Sequence, residues 1–123
     1  MDPLYQAWTE LLGWMQGYAE ARGVRYVVEA HFPDAIYRLA RRLELPTTVM
    51  TASLAFPEDE ERFLLASVTP PGTRERGVEL RVMKAHLYLH LHPEDGELVY
   101  EGRPMTERRL YGLADAARRG LRG

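Results

Sequence analysis

The chain has 123 residues and a formal net charge of −2, from 16 basic and 18 acidic side chains. That length suits one domain, and the near balance of charge gives no support to nucleic-acid binding, which calls for a basic excess or stripe. Cysteine is absent, so disulfides, a thiol nucleophile and thiolate-bound zinc are excluded. No run approaches the ~20 apolar residues of a membrane span. Met1-Asp2-Pro3 lacks the basic and apolar regions of a secretory signal, so a cytoplasmic location is expected. Lys84 is the single lysine, asparagine is absent, and glutamine occurs only at Gln6 and Gln16. Scarce thermolabile amides and thiols point to a thermophilic source, and the lysine shortage to a GC-rich coding bias.

The first element is a helix. Asp2-Pro3 sets a capping acceptor before a proline at the first helical position. Leu4, Trp8, Leu11, Met15 and Tyr18 follow at spacings of three and four and mark one face, and Gly23 serves as C-cap. Tyr5, Leu12 and Trp14 fall outside that stripe, and a helix apolar over most of its girth is buried on two sides. Gly13, Gly17 and Ala21 recur every four residues. A helical glycine costs ~1 kcal/mol relative to alanine, so close backbone approach is a reason to keep one. One reading has this helix cover the sheet alone. The other adds a second copy of the chain against it.

Val24 to Phe32 alternates, with Val24, Tyr26, Val28, Ala30 and Phe32 on one side and Arg25, Glu29 and His31 on the other, as a half-buried strand does. Pro33-Asp34 opens a short helix with Ala35, Ile36, Leu39, Ala40 and Leu43 expected inward and Arg38, Arg41 and Arg42 outward; Pro46 ends it. Thr47–Phe56 and Arg62–Thr69 read as strands joined by the acidic turn Pro57-Glu58-Asp59-Glu60-Glu61. Pro70-Pro71-Gly72 is a turn signal. A long strand is expected over Val78–His92, then the connection Pro93-Glu94-Asp95-Gly96, then a returning strand over Glu97–Glu101. Thr106 caps a last helix striped by Leu110, Leu113, Ala114, Ala117 and Leu121, with Arg118, Arg119 and Arg122 in its last turn, where cations suit the dipole. The order α-β-α-β-β-β-β-α describes a single α+β domain over 1–123, with a largely antiparallel five-stranded sheet and helices packed on one face.

The long strand carries the only concentration of titratable, metal-competent groups. Its apolar residues lie at even positions up to Val82 and at odd positions from Met83 to Leu91. Such a phase flip calls for a bulge, or for a strand whose halves bury opposite faces, one of them in a second core or a dimer interface. From Lys84 onward the polar side holds His86, Tyr88, His90 and His92. A regular hairpin sets His92 opposite Glu97 and His90 opposite Val99. His90 and His92 then stand ~6.6 Å apart on one face, close enough to share a metal with Glu97, while His86 lies ~13 Å from His90. Zinc needs at least three protein ligands. The same group, with Tyr88 beside it, has the chemistry for acid–base work.

Other clusters are weaker. Ser53 and Ser67 are the only serines, and neither has a glycine elbow. His31, Asp34 and Tyr37 gather at a strand-to-helix junction, with Asp34 read as a helix cap. Arg41-Arg42 and Arg118-Arg119 read as solvated helix faces, and phosphate-cradling glycine loops are absent. The expectation is a small cytoplasmic binding domain without cofactor, acting as a homodimer toward a protein or small-molecule partner. The alternative is a divalent-metal or acid–base enzyme using His90, His92 and Glu97.

Overall fold

Chain order runs α1 (Pro3–Arg22), β1 (Arg25–Ala30), α2 (Asp34–Arg42), β2 (Thr51–Ala55), β3 (Phe63–Val68), β4 (Val78–Val82), β5 (Leu87–Glu94), β6 (Glu97–Tyr100), β7 (Arg103–Pro104) and α3 (Glu107–Arg119). The computed structural model describes residues 3–43, 50–58, 63–68, 78–82, 87–94, 97–100 and 102–119; at 3–4, 40–41, 63, 68, 78–82 and 87–94 it describes backbone and register. Every strand pairs antiparallel with the next, in the spatial order β1 to β7. The α+β class and the antiparallel sheet are as expected, with seven strands in place of five.

The extra strands have physical causes. The segment read as one long strand is two, and they pair with each other: Val78 opposes Leu91, Leu80 opposes Leu89 and Val82 opposes Leu87. Reversing the chain sets the even positions of β4 on the same face as the odd positions of β5. The phase flip is therefore a hairpin, and it brings six aliphatic positions onto one side of the sheet. Register carries that side onward. Val82 opposes Leu64 and Leu80 opposes Ala66; Leu64 opposes Leu54 and Ala66 opposes Ala52; Leu54 opposes Tyr26. Ala52, Leu54, Leu64 and Ala66 are fully buried. The hairpin that follows is two residues tighter than expected. Glu94 opposes Glu97 and His92 opposes Val99, which leaves Asp95-Gly96 between the paired ends, a dipeptide that favours two-residue connections. The last strand, β7, is only Arg103–Pro104, opposite Tyr100 and Val99, and was invisible as a pattern because two residues carry no alternation.

Helix α1 spans about 30 Å and touches β1, β2, β5 and β6, while α3 lies against α1 and β3. Trp8, Leu11, Met15 and Tyr18 are fully buried, in one core with Leu54, Leu64, Leu110 and Ala114. The C-terminal end of α1 is closed by local chemistry. Gly23 adopts φ +66° and the Val24 amide donates to the Ala19 carbonyl at 3.2 Å, the Schellman pattern in which a side chain at Gly23 would be strained. The expected cap at Asp2 lies outside the described residues. At α3 the Arg109 amide donates to the Thr106 hydroxyl at 3.2 Å, so Thr106 is the cap the sequence marks.

The two-sided burial of α1 is satisfied within the chain. Tyr5 is buried against Tyr37 of α2, with ring centroids 5.2 Å apart. On the other flank Tyr18 meets Tyr111 of α3 edge-on at 5.2 Å. A Cβ at Gly17 would stand 3.0 Å from the Tyr111 hydroxyl, so this glycine admits α3 closely, whereas Gly13 faces nothing within 4 Å. A second copy is not required to cover this helix.

Helix α2 departs from expectation. Its buried anchor is Tyr37, and Ile36, Leu39 and Leu43, expected inward, are 51%, 48% and 59% exposed. Packing on the Tyr5 ring selects Tyr37 and turns the aliphatic strip aside. Burying such a side chain is worth about 1.5–3 kcal/mol, so that free energy stays unrealised in the free chain.

The register makes a paired prediction. Leu64→Ala, on the buried face, costs about 2–5 kcal/mol in urea unfolding. Its half-buried neighbour Leu65→Ala, on the opposite face, costs roughly half that or less. Equal losses would contradict the register.

Candidate functional site

The histidine strand pairs in a register other than the one expected of it. His90 stands opposite Glu79 and Tyr88 opposite Arg81 on β4, while His92 stands opposite Val99 and Glu97 opposite Glu94. His86 lies outside the described residues. Glu97 is thus not the cross-strand neighbour of His92, and Glu79, which sequence reasoning passed over, is that of His90. Among the described residues no three His, Asp or Glu side chains converge on a metal position.

Glu97 instead lines a cleft of about 450 Å³ between α1, the β6–β7 hairpin and the start of α3. Ala7, Leu98 and Met105 form its buried side, Trp14 a half-buried wall, and Glu10 and Glu107 join Glu97 there. One guanidinium holds the hairpin in place. Nη1 of Arg109 lies 3.2, 3.0 and 2.9 Å from the carbonyls of Tyr100, Arg103 and Pro104, and its guanidinium sits 5.3 Å from the centre of the Tyr100 ring. The signal for this cleft was Trp14, the aromatic left off the main stripe of α1.

Two polar clusters lock the helices. At the N-terminal end of α1, Trp8 Nε1 donates to His31 Nδ1 at 3.3 Å. The indole can only donate, so Nδ1 accepts and the imidazole proton belongs on Nε2, 3.4 Å from the Tyr5 hydroxyl. That hydroxyl donates to the Phe32 carbonyl at 2.9 Å. Burial, and then the Asp34 carboxylate, push the Tyr5 hydroxyl above its ordinary pKa. Of the expected His31, Asp34 and Tyr37 cluster, the two rings meet on Tyr5. Asp34 does not act as the cap: Oδ2 pairs with Arg38 at 3.0 Å and Oδ1 has no hydrogen-bond partner among the described residues.

At the C-terminal end of α1, the Tyr18 hydroxyl donates to Asp115 Oδ1 at 2.7 Å and Arg22 Nε lies 3.4 Å from the same oxygen. The Arg22 guanidinium sits 5.7 and 5.6 Å from the centres of the Tyr18 and Tyr111 rings. Arg118 bonds Glu58 at 2.6 Å and the Arg22 carbonyl at 3.2 Å, tying α3 to the β2–β3 turn and the end of α1. It is not a spare cation for phosphate. Burial and then the bond to Asp115 push the Tyr18 hydroxyl well above its usual range. The Tyr18 hydroxyl and then Arg22 hold the Asp115 carboxyl below its own.

A carboxyl whose folded pKa is depressed favours the folded state wherever it is ionised. The contribution of Asp115 is complete above the unfolded carboxylate range, about pH 4, and is lost as pH falls through the lowered folded value. Asp115→Asn therefore costs about 1 kcal/mol at pH 7, and the difference from wild type shrinks toward pH 2. Denaturant melts across that window check it; a difference independent of pH would contradict the assignment.

Helices laid on one face of an antiparallel meander, locked by polar clusters at both ends of α1 and leaving α2 uncovered, define a small α+β domain built around packing surfaces. Residues 1–121 match the family of NADH-quinone oxidoreductase chain 15, and the chain belongs to that family. One relative is NADH-quinone oxidoreductase subunit 15 of Thermus thermophilus, 50% identical over 119 residues, a match covering 96% of this chain and 92% of the relative.

Family membership overturns two expectations. The stand-alone binding domain acting as a homodimer is corrected, because the family is that of a chain of a larger oxidoreductase. Both features behind it have intramolecular causes: α1 is covered by its own α2 and α3, and the phase flip is a hairpin. The alternative, a metal-dependent or acid–base enzyme at His90, His92 and Glu97, is corrected on the same ground.

Proposed function

We propose that this chain is an accessory subunit of an NADH-quinone oxidoreductase, held in place by other subunits of that complex. The observation that carries the reading is the family match across residues 1–121, supported by the 50% identity to subunit 15 of the Thermus thermophilus enzyme. Its contribution is packing rather than electron transfer through iron–sulfur clusters, since the chain offers no cysteine thiolate to ligate one. We place it on the cytoplasmic side, a position compatible with the finding that no helix among the described residues is long and apolar enough to cross a membrane.

An affinity tag on the full chain, expressed in its own cells, tests this. NADH-dependent quinone reduction should elute with the tag. Deleting the chain should leave turnover per assembled complex unchanged and speed its thermal inactivation, because a bound subunit stabilises what it binds. A tagged chain that elutes free of the activity would contradict the proposal.

A further inference from the structure

The large apolar side chains left exposed among the described residues are Val28, Ile36, Leu39 and Leu43. Ile36 and Leu39 on α2 and Leu43 just past its end fall at i, i+3 and i+7, and the Leu43 amide still donates to the Leu39 carbonyl at 3.0 Å, so they form one continuous strip. The fourth lies on β1, an edge strand of the sheet and the one that leads into α2. Exposed apolar side chains scattered singly are ordinary; a row of them on one short helix marks an interaction surface.

Charge specifies what fits there. The whole chain carries a net charge of −2, yet α2 holds three arginines and one carboxylate. That carboxylate, Asp34, is engaged by Arg38. Among the described residues Arg42 is exposed and has no carboxylate partner. A shallow depression beside Arg38 and Arg42 is floored by Ala35. The face is thus an apolar strip bordered by guanidiniums, the side chain most suited to bidentate pairing with carboxylates at interfaces.

We infer that the outer face of α2 is the surface by which this chain docks, and that its occupant is a protein subunit presenting an apolar ridge flanked by carboxylates. The inference rests on the reading that the chain is an accessory subunit, and identifies which surface serves that role. Arginine in the border makes the contact sensitive to salt, and the aliphatic strip supplies its anchors.

The probe is the oxidoreductase complex purified from cells deleted for this chain, titrated with the full-length chain. Ile36→Gln/Leu39→Gln removes the strip while keeping good helix formers. It should weaken binding about 30-fold or more and leave the thermal midpoint and helical circular dichroism of the free chain unchanged. Arg42→Glu should also weaken binding and flatten its dependence on salt. Wild-type binding by the glutamine pair overturns the docking surface, and wild-type binding by Arg42→Glu overturns the acidic partner. A wild-type chain that dimerises in light scattering, and a glutamine pair that does not, would assign the strip to a second copy and overturn the inference. Failure of the wild-type chain itself to bind overturns the accessory-subunit reading beneath it.

Discussion

The constraint on which the structure depends is the continuity of one apolar face through the four strand pairings from β1 to β5. Each antiparallel register hands the face to the next strand: Tyr26 to Leu54, Leu54 to Leu64, Leu64 to Val82, Val82 to Leu87. A slip of one residue at any pairing would turn every later side chain to the other side. With the face intact, α1 has a surface on which Trp8, Leu11 and Met15 are fully buried. The polar clusters then work as locks rather than as sources of cohesion. The Trp8–His31–Tyr5 group and the Tyr18–Asp115–Arg22 group orient α1 at its two ends, while the core beneath supplies the larger, non-directional stabilisation.

This division fits the accessory-subunit role proposed for the chain. Each flank of α1 is used within the molecule, by Tyr37 on one side and by the Gly17–Tyr111 approach on the other. What remains unrealised is the aliphatic side of α2, held to the rest by Tyr37. The main stripe of α1 is buried by the molecule's own packing, and the exposed large apolar side chains among the described residues lie on β1, on α2 and at its end. Separating the two is what the proposed docking through α2 requires of a chain that folds alone.

Much of the architecture was legible as pattern. The stripe of α1, its termination at Gly23, the Thr106 cap and the existence of strands β1–β3 are local signals, and these local signals survive into the fold. What failed was information held only in partners. The flip after Val82 is equally compatible with a bulge, a crossing strand or a hairpin until the register with Leu87 is known. Pattern alone points α2 the wrong way because Ile36, Leu39 and the following Leu43 outnumber Tyr37, while the Tyr5 ring that selects Tyr37 lies far back in the chain. The histidine strand drew attention by composition, yet Glu97 turns out to line a cleft with Trp14, Glu10 and Glu107, a juxtaposition made by α1 and α3. No motif in the sequence encodes a subunit's role, because packing surfaces need shape and charge rather than a fixed residue spacing.

The central claim is that the apolar stripe and both flanks of α1 are packed within the chain, while the aliphatic strip on α2 is left for the proposed partner. Amide hydrogen exchange tests it most directly, since protection reports local opening segment by segment. In the free chain, amides across Leu11–Tyr18 should be the most protected and those of Asp34–Arg42 among the least. In the assembled oxidoreductase, protection should rise over Asp34–Arg42 and change little over α1. Weak protection of Leu11–Tyr18 in the free chain, gained only on assembly, would contradict it.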